Sequence, residues 1–379
     1  MGNVQQIHSS KSPQPSGLAT RLIGELRQAP LLALLVFVPA VLLIELASPD
    51  AHTLLFGLSV LAIVPLAALL SRATEAVSVR TGDAVGGLLN ATLGNLTELV
   101  ISLAALQAGQ YQLVKASIAG AIVTNTLFML GGAFLLGGLK HHVQDFNRIN
   151  ARFQSCLLFL ATVAVLVPSL IKNVDQASAV SSKLSLGLSV LLIAVYGLGM
   201  LFSLKTHREL FASVGEAEEH ASWSLSLSVA ILLVVTLLVA LVSEVFVGSV
   251  QAAAEQMGMT PAFVGFIIVA LVGGAAEMTT AFSAARSNRL DLSVGIALGS
   301  AAQIALFVAP VLVITSYFLG PAPMSLQFWP GAVTMMLIAT MAATFLSNGG
   351  HGTWYIGVLA LAVYAIFGLT LFLLPPMVL

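Results

Sequence analysis

The chain has 379 residues, of which 58% are hydrophobic and 8% charged. A soluble domain carries about 25% charged residues, so a mean hydropathy of +1.00 excludes one soluble core and specifies a polytopic membrane protein. A net charge of −1 and a pI near 6.6 argue against nucleic acid as a partner. The single cysteine, Cys156, excludes an intramolecular disulfide and a cysteine-based zinc cage.

Residues 1–29 are polar and basic (Lys11, Arg21, Arg27) and have no apolar signal core, so they read as a cytoplasmic tail. Eleven segments then have the roughly 20 apolar residues that a span needs. They run over 30–48, 52–71, 84–108, 113–139, 153–171, 184–204, 223–249, 261–285, 290–319, 326–346 and 353–375. The expected fold class is all-α: one N-terminal helix, 30–48, then two five-helix repeats over 52–204 and 223–375. Between the repeats lies an acidic cytoplasmic linker, 205–222, with Glu216, Glu218 and Glu219. The linker reads most simply as a solvated connection, and a cytoplasmic cation collector is the sharper alternative. With the N-terminus inside, twelve of the fifteen Lys and Arg fall on the cytoplasmic side, and only Lys115, Lys172 and Lys183 fall outside. That bias orients the chain N-in and C-out.

Of the sixteen acids, only Glu98 and Glu277 sit well inside apolar segments. A charge at the bilayer centre costs about 2.5–3.5 kcal/mol on insertion scales, which makes both functional candidates. Their surroundings match. Gly94-Asn95-Leu96-Thr97-Glu98 is answered by Gly273-Gly274-Ala275-Ala276-Glu277, 179 residues later. The first segment crosses outward and the second inward, so the expected relation is an inverted repeat with a site between the halves. Helical spacing places Asn95, Glu98 and Ser102 on one face, and Gly273, Glu277 and Thr280 on another. The following spans add Thr124 and Asn125, then Ser300 and Gln303. Carboxylates, amides, hydroxyls and carbonyls freed beside glycine are the ligand set of a hard cation such as Ca²⁺. The alternative is that the two Glu only tie helices together. Such polar pairs return about 0.6 kcal/mol each, less than their burial costs.

Three stretches resemble the calcium/cation–proton exchanger (CAX) family of the cation/Ca²⁺ exchanger superfamily. They are Gly86–Leu99, Phe202–Phe211 with the acidic run after it, and Phe263–Ile304 around Ala275-Ala276-Glu277 and Gly299-Ser300-Ala301-Ala302-Gln303. The resemblance implies an eleven-helix exchanger in which Glu98 and Glu277 are the paired cation-binding acids. It places Asn95, Asn125, Ser300 and Gln303 along the same pathway, with Gly94 and Gly273 beside the acids. It also places Glu75 and Asp291 toward the cytoplasmic entrance. A homo-oligomer is the protein partner it implies. Two departures stand out: Gly274 and Met278 occupy positions where the family usually has Asn and His, and Ala121 and Ala301 stand where it often has Ser. The seven histidines lie in the tail, loops or span edges, so no histidine serves the centre of the pathway.

The expected function is a secondary active antiporter exchanging Ca²⁺, or a related cation, for H⁺ by alternating access. No cofactor is expected beyond the transported ions, and a bacterial inner membrane is the expected location. Na⁺/H⁺ or K⁺/H⁺ exchange on the same fold is the alternative, and a cation channel is a further one. An intramembrane enzyme is not expected, because the spans hold no Asp pair and no His-Glu-x-x-His.

Overall fold

The computed structural model describes residues 30–81, 83–170, 177–211 and 223–373. The expected tail and the acidic run Glu216–Glu219 lie outside them. Thirteen helices carry the described chain: α1 Leu31–Ala47, α2 His52–Thr81, α3 Asp83–Leu93, α4 Leu96–Gln107, α5 Tyr111–His141, α6 Arg148–Leu170, α7 Ser182–Thr206, α8 Leu225–Gln256, α9 Pro261–Gly273, α10 Ala275–Arg286, α11 Leu290–Thr315, α12 Pro330–Ser347 and α13 Trp354–Leu373. Eight of them are long and apolar enough to cross a membrane, or nine spans if α9 and α10, bent by 59°, count as one. α1 and α4 are shorter apolar helices.

Local chemistry starts several of these helices. Pro261 and Pro330 take first-turn positions, where a missing N–H costs nothing. Thr260 caps α9 by accepting the Phe263 amide at 3.1 Å. The sequence places the third and eighth spans as continuous over 84–108 and 261–285, and the structure breaks both. The first break falls at Gly94 and Asn95 between α3 and α4, the second at Gly274 between α9 and α10. The two breaks are 179 residues apart, like the acids that follow them. α5 and α11 also change locally to π-helical turns, over Thr124–Met129 and Ile304–Val308. Such insertions free backbone groups and are frequent at functional sites.

The helices join by close backbone approach and by isolated polar ties, as apolar surroundings require. α2 and α8 lie along one another, with Phe56 and Phe246 stacked at 5.4 Å. α5 crosses α9 at Gly120, where any side chain would run into the Phe266 backbone. α5 meets α13 through Thr124 and Tyr364 (3.1 Å), and α6 meets α12 through Thr162 and Thr340 (2.9 Å).

At one end, two three-residue strands pair antiparallel: β1 Val143–Asp145 with β2 His351–Thr353. They link the α5–α6 connection to the α12–α13 connection. Gln144 is buried and donates to Ala285 O and Asn288 Oδ1, which brings in the α10–α11 connection as well.

Candidate functional site

The breaks explain where the acids stand. Glu98 and Glu277 each lie in the first turn of the half-helix that follows a break. There the unpaired N–H groups and the positive end of the helix favour a negative charge. Glu98 is 9% exposed and Glu277 is half-buried. The two carboxyls are within electrostatic reach of each other. Gly273 is the point of contact, since a Cβ built on it would lie 3.0 Å from Glu98 Cγ and 3.2 Å from Glu98 Oε1. Glycine there lets the acid of the first half lie directly against the backbone of the second.

Four polar side chains extend the site as one hydrogen-bonded chain across the halves. Asn125 Nδ2 donates to Ser300 Oγ (2.8 Å), and Ser300 Oγ donates to Asn95 Oδ1 (2.7 Å). Asn95 Nδ2 donates to Gln303 Oε1 (2.6 Å). Asn95, Asn125 and Ser300 are buried. Gly94 flanks the chain, its Cβ position 3.4 Å from Gln303 Oε1. Although Asn95 opens α4, its side chain makes no cap bond, because it is committed across the interface.

One atom is left over. Glu277 Oε2 is buried and has no hydrogen-bond partner. A buried polar atom without a partner calls for a proton, an ion or a ligand. Among the described residues no three His, Cys, Asp or Glu side chains gather as a metal cage. The oxygens gathered here, two carboxylates with neutral amide and hydroxyl groups, are the donor types that suit a hard cation.

Other expected positions fall differently. Ser102 is buried beside Glu98 and lies 3.4 Å from Ser117 Oγ. Together with Ile118, Ala121 and Ile304 they line a small cavity on Glu98. Sequence reading missed Ser117, which is hidden in the small-residue run Ala116–Ala121. Thr280 does not join the site. It is exposed and its hydroxyl bonds back to Ala276 O, one turn earlier on α10. Glu75 is exposed on α2. Asp291 accepts the Asn147 backbone N–H at 2.8 Å, just ahead of α6. A second cavity, lined by Phe153, Gln154, Tyr196, Ser203 and Gly299, reaches Gln303 from the side of α6 and α7.

The chain was compared with known proteins. A family model described as "Sodium/calcium exchanger protein" matches residues 51–205 and 227–373. A Ca(2+)/H(+) antiporter of Aphanothece halophytica is 39% identical over 360 residues, covering 90% of this chain and 96% of that protein. The Ca(2+)/H(+) antiporter ChaA of Bacillus subtilis is 40% identical over 324 residues, covering 84% and 92%. The solved structure of native YfkE superposes with a TM-score of 0.79 at 37% identity, covering 91% of this chain and 99% of that one. The H+/Ca2+ exchanger CAX, at 17% identity and a TM-score of 0.69, shares the fold. On these likenesses the chain belongs to the sodium/calcium exchanger protein family, within its calcium/cation–proton exchanger branch.

Proposed function

We infer that this integral membrane protein is a secondary antiporter that exchanges Ca²⁺ for H⁺ at a site centred on Glu98 and Glu277. One observation carries the reading: two acids, one from each half, meet at matching helix breaks, backed by the polar chain Asn125–Ser300–Asn95–Gln303. The relatives named above as Ca(2+)/H(+) antiporters support the choice of ions. The pair of oxygens takes either one divalent cation or protons. Competition for the same atoms is the coupling, and alternating access delivers the site to each side in turn.

All eleven apolar segments cross the bilayer in this reading, with α3–α4 and α9–α10 each forming one broken span. Half-helices whose N-terminal ends face a central site are a recurring transporter design. Residues 52–204 and 223–375 form the inverted repeats. Support comes from the 179-residue offset shared by the acids and the breaks, and from the separate family matches on the two stretches. The loop charges place the N-terminus in the cytoplasm of a bacterial cell. Exchange of two protons for one Ca²⁺ moves no net charge. Ca²⁺ alone would meet about 4.6 kcal/mol per 100 mV, from about 2.3 per charge.

The test is purified protein in proteoliposomes with a preset pH gradient. Addition of Ca²⁺ should collapse the gradient, and Na⁺ or K⁺ should not. Collapse by Na⁺ or K⁺ without a response to Ca²⁺ would establish the monovalent alternative, which the missing side chain at Gly274 favours by leaving fewer oxygens for a divalent ion. A flux far above carrier turnover would establish a channel.

A further inference from the structure

Positions 95 and 274 are 179 residues apart and do the same structural work, each opening the second half-helix of a broken segment. Their backbones are alike: φ −102°, ψ 31° at Asn95, and φ −80°, ψ 5° at Gly274. Neither conformation needs glycine. The difference therefore lies in what the side chains do. Asn95 reaches across to Ser300 and Gln303. Nothing reaches back from Gly274.

The partner is missing too. The residue 179 positions before Ser300 is Ala121, which is buried and lines the cavity on Glu98. The residue 179 before Gln303 is Thr124, whose hydroxyl is engaged with Tyr364. So an amide–hydroxyl pair present on one side of the site, Asn95–Ser300, is replaced on the other by Gly274–Ala121. A Cβ on Gly274 would lie 3.2 Å from Met278 Cε, 3.3 Å from Ala270 O and 3.6 Å from Asn125 Oδ1. A small side chain there would point toward Asn125, and the atom most in its way is the flexible end of a methionine. Three residues on is Glu277, whose Oε2 is buried without a partner.

We propose that Gly274 and Ala121 are the specificity-determining pair of this exchanger. The cation meets protein oxygens where Asn95 and Ser300 stand and keeps water where Gly274 and Ala121 supply none. This rests on the cation-exchange reading above and adds to it how completely the ion is stripped. Ca²⁺ takes six to eight oxygens and tolerates irregular shells, so protein and water together can complete it. Retained water lowers affinity and lets the ion leave quickly. It also relaxes discrimination against Mg²⁺, which gives up its water reluctantly.

The experiment restores the absent pair. Wild type, Ala121→Ser, Gly274→Asn and the double variant are reconstituted, and the Ca²⁺ dependence of H⁺ flux is measured with and without Mg²⁺. The double variant is expected to lower the half-saturating Ca²⁺ about tenfold (about 1.4 kcal/mol), to slow maximal flux and to weaken competition by Mg²⁺. Gly274→Asn alone buries an amide with no hydroxyl to meet it, so its gain should be smaller and the pair more than additive. Unchanged half-saturation and unchanged Mg²⁺ competition in a double variant that still exchanges Ca²⁺ for H⁺ would overturn the proposal. If the Asn variant does not reach the membrane, Gly274→Ser with Ala121→Ser puts two hydroxyls into the same space, with the same direction expected and the same null result overturning it. A wild-type protein without Ca²⁺-driven H⁺ flux would instead overturn the exchange reading, and this inference with it.

Discussion

Gly273→Ala tests the contact on which the site depends. Gly273 is in the right-handed helical region and is absent from the positive-φ glycines, so alanine is compatible with its backbone. The new methyl would lie 3.0 Å from Glu98 Cγ. Carbon atoms rest at about 3.5–4.0 Å, so the stem of Glu98 has to withdraw by about 0.5–1 Å. Binding constellations tolerate about 0.5 Å, and a displacement near 1 Å costs up to about 10²-fold. The half-saturating Ca²⁺ should therefore rise about ten- to hundredfold. Stability should change little, because alanine is a better helix former than glycine by about 1 kcal/mol and offsets part of the crowding. The assay pairs Ca²⁺-dependent H⁺ flux in proteoliposomes with the thermal midpoint in detergent. Gly57→Ala on α2, with nothing within 4 Å of the added carbon, is the control and should transport like wild type. Half-saturation within about twofold of wild type in a folded Gly273→Ala protein would refute the argument that Glu98 is positioned against this backbone.

Three further outcomes follow from the geometry. Glu98→Gln and Glu277→Gln should each abolish exchange, and Ca²⁺ should raise the thermal midpoint of wild type but of neither variant, since only a bound ion stabilises the fold. Persistence of exchange in either would remove the acid pair from the mechanism. Ser300→Ala breaks both the Asn125 and the Asn95 bonds, at about 0.6 kcal/mol each on membrane-protein values and more where a buried partner is left unmet; a fall in stability of about 1–2 kcal/mol with weaker Ca²⁺ dependence of flux is expected. Asp291→Ala removes the acceptor of the Asn147 amide and should cost about 1 kcal/mol of stability, like the loss of a helix cap. Its half-saturating Ca²⁺ is expected to stay near wild type, and a large rise would show that Asp291 serves cation entry as well.

Much of this was legible in the residues because an acid inside an apolar run is expensive and two such acids with matching neighbours are rarer still. The 179-residue offset pairs Glu98 with Glu277, and each of them follows a helix break in the structure. The breaks before Glu98 and Glu277 were not legible. Hydropathy measures how apolar a segment is and is blind to its direction, so 84–108 and 261–285 read as unbroken spans even with Gly94 and Gly273 singled out as ligand positions. The entrance role of Asp291 came from the family resemblance, and its bond to the Asn147 amide had no sign in the residues, because a backbone partner leaves no mark on side-chain pattern. The β1–β2 pair left no pattern, since three residues on each side are too few to alternate. Ser117 carries a hydroxyl that only its neighbour Ser102, on another helix, makes meaningful.

The β1–β2 pair has a mechanical consequence. It fastens the α5–α6 hairpin to the α12–α13 hairpin, with Gln144 riveting both to the turn before α11. A ladder of backbone bonds stretches very little before it breaks, so these two hairpins turn together, as a frame braced at one end. The pair α2 and α8, packed along each other, lies outside this brace, and on the alternating-access reading proposed above it is the part that would move against it. On that reading a chemical crosslink from α2 to the frame is expected to stop Ca²⁺-driven H⁺ flux, and one within the frame, between α6 and α12, to leave it unchanged.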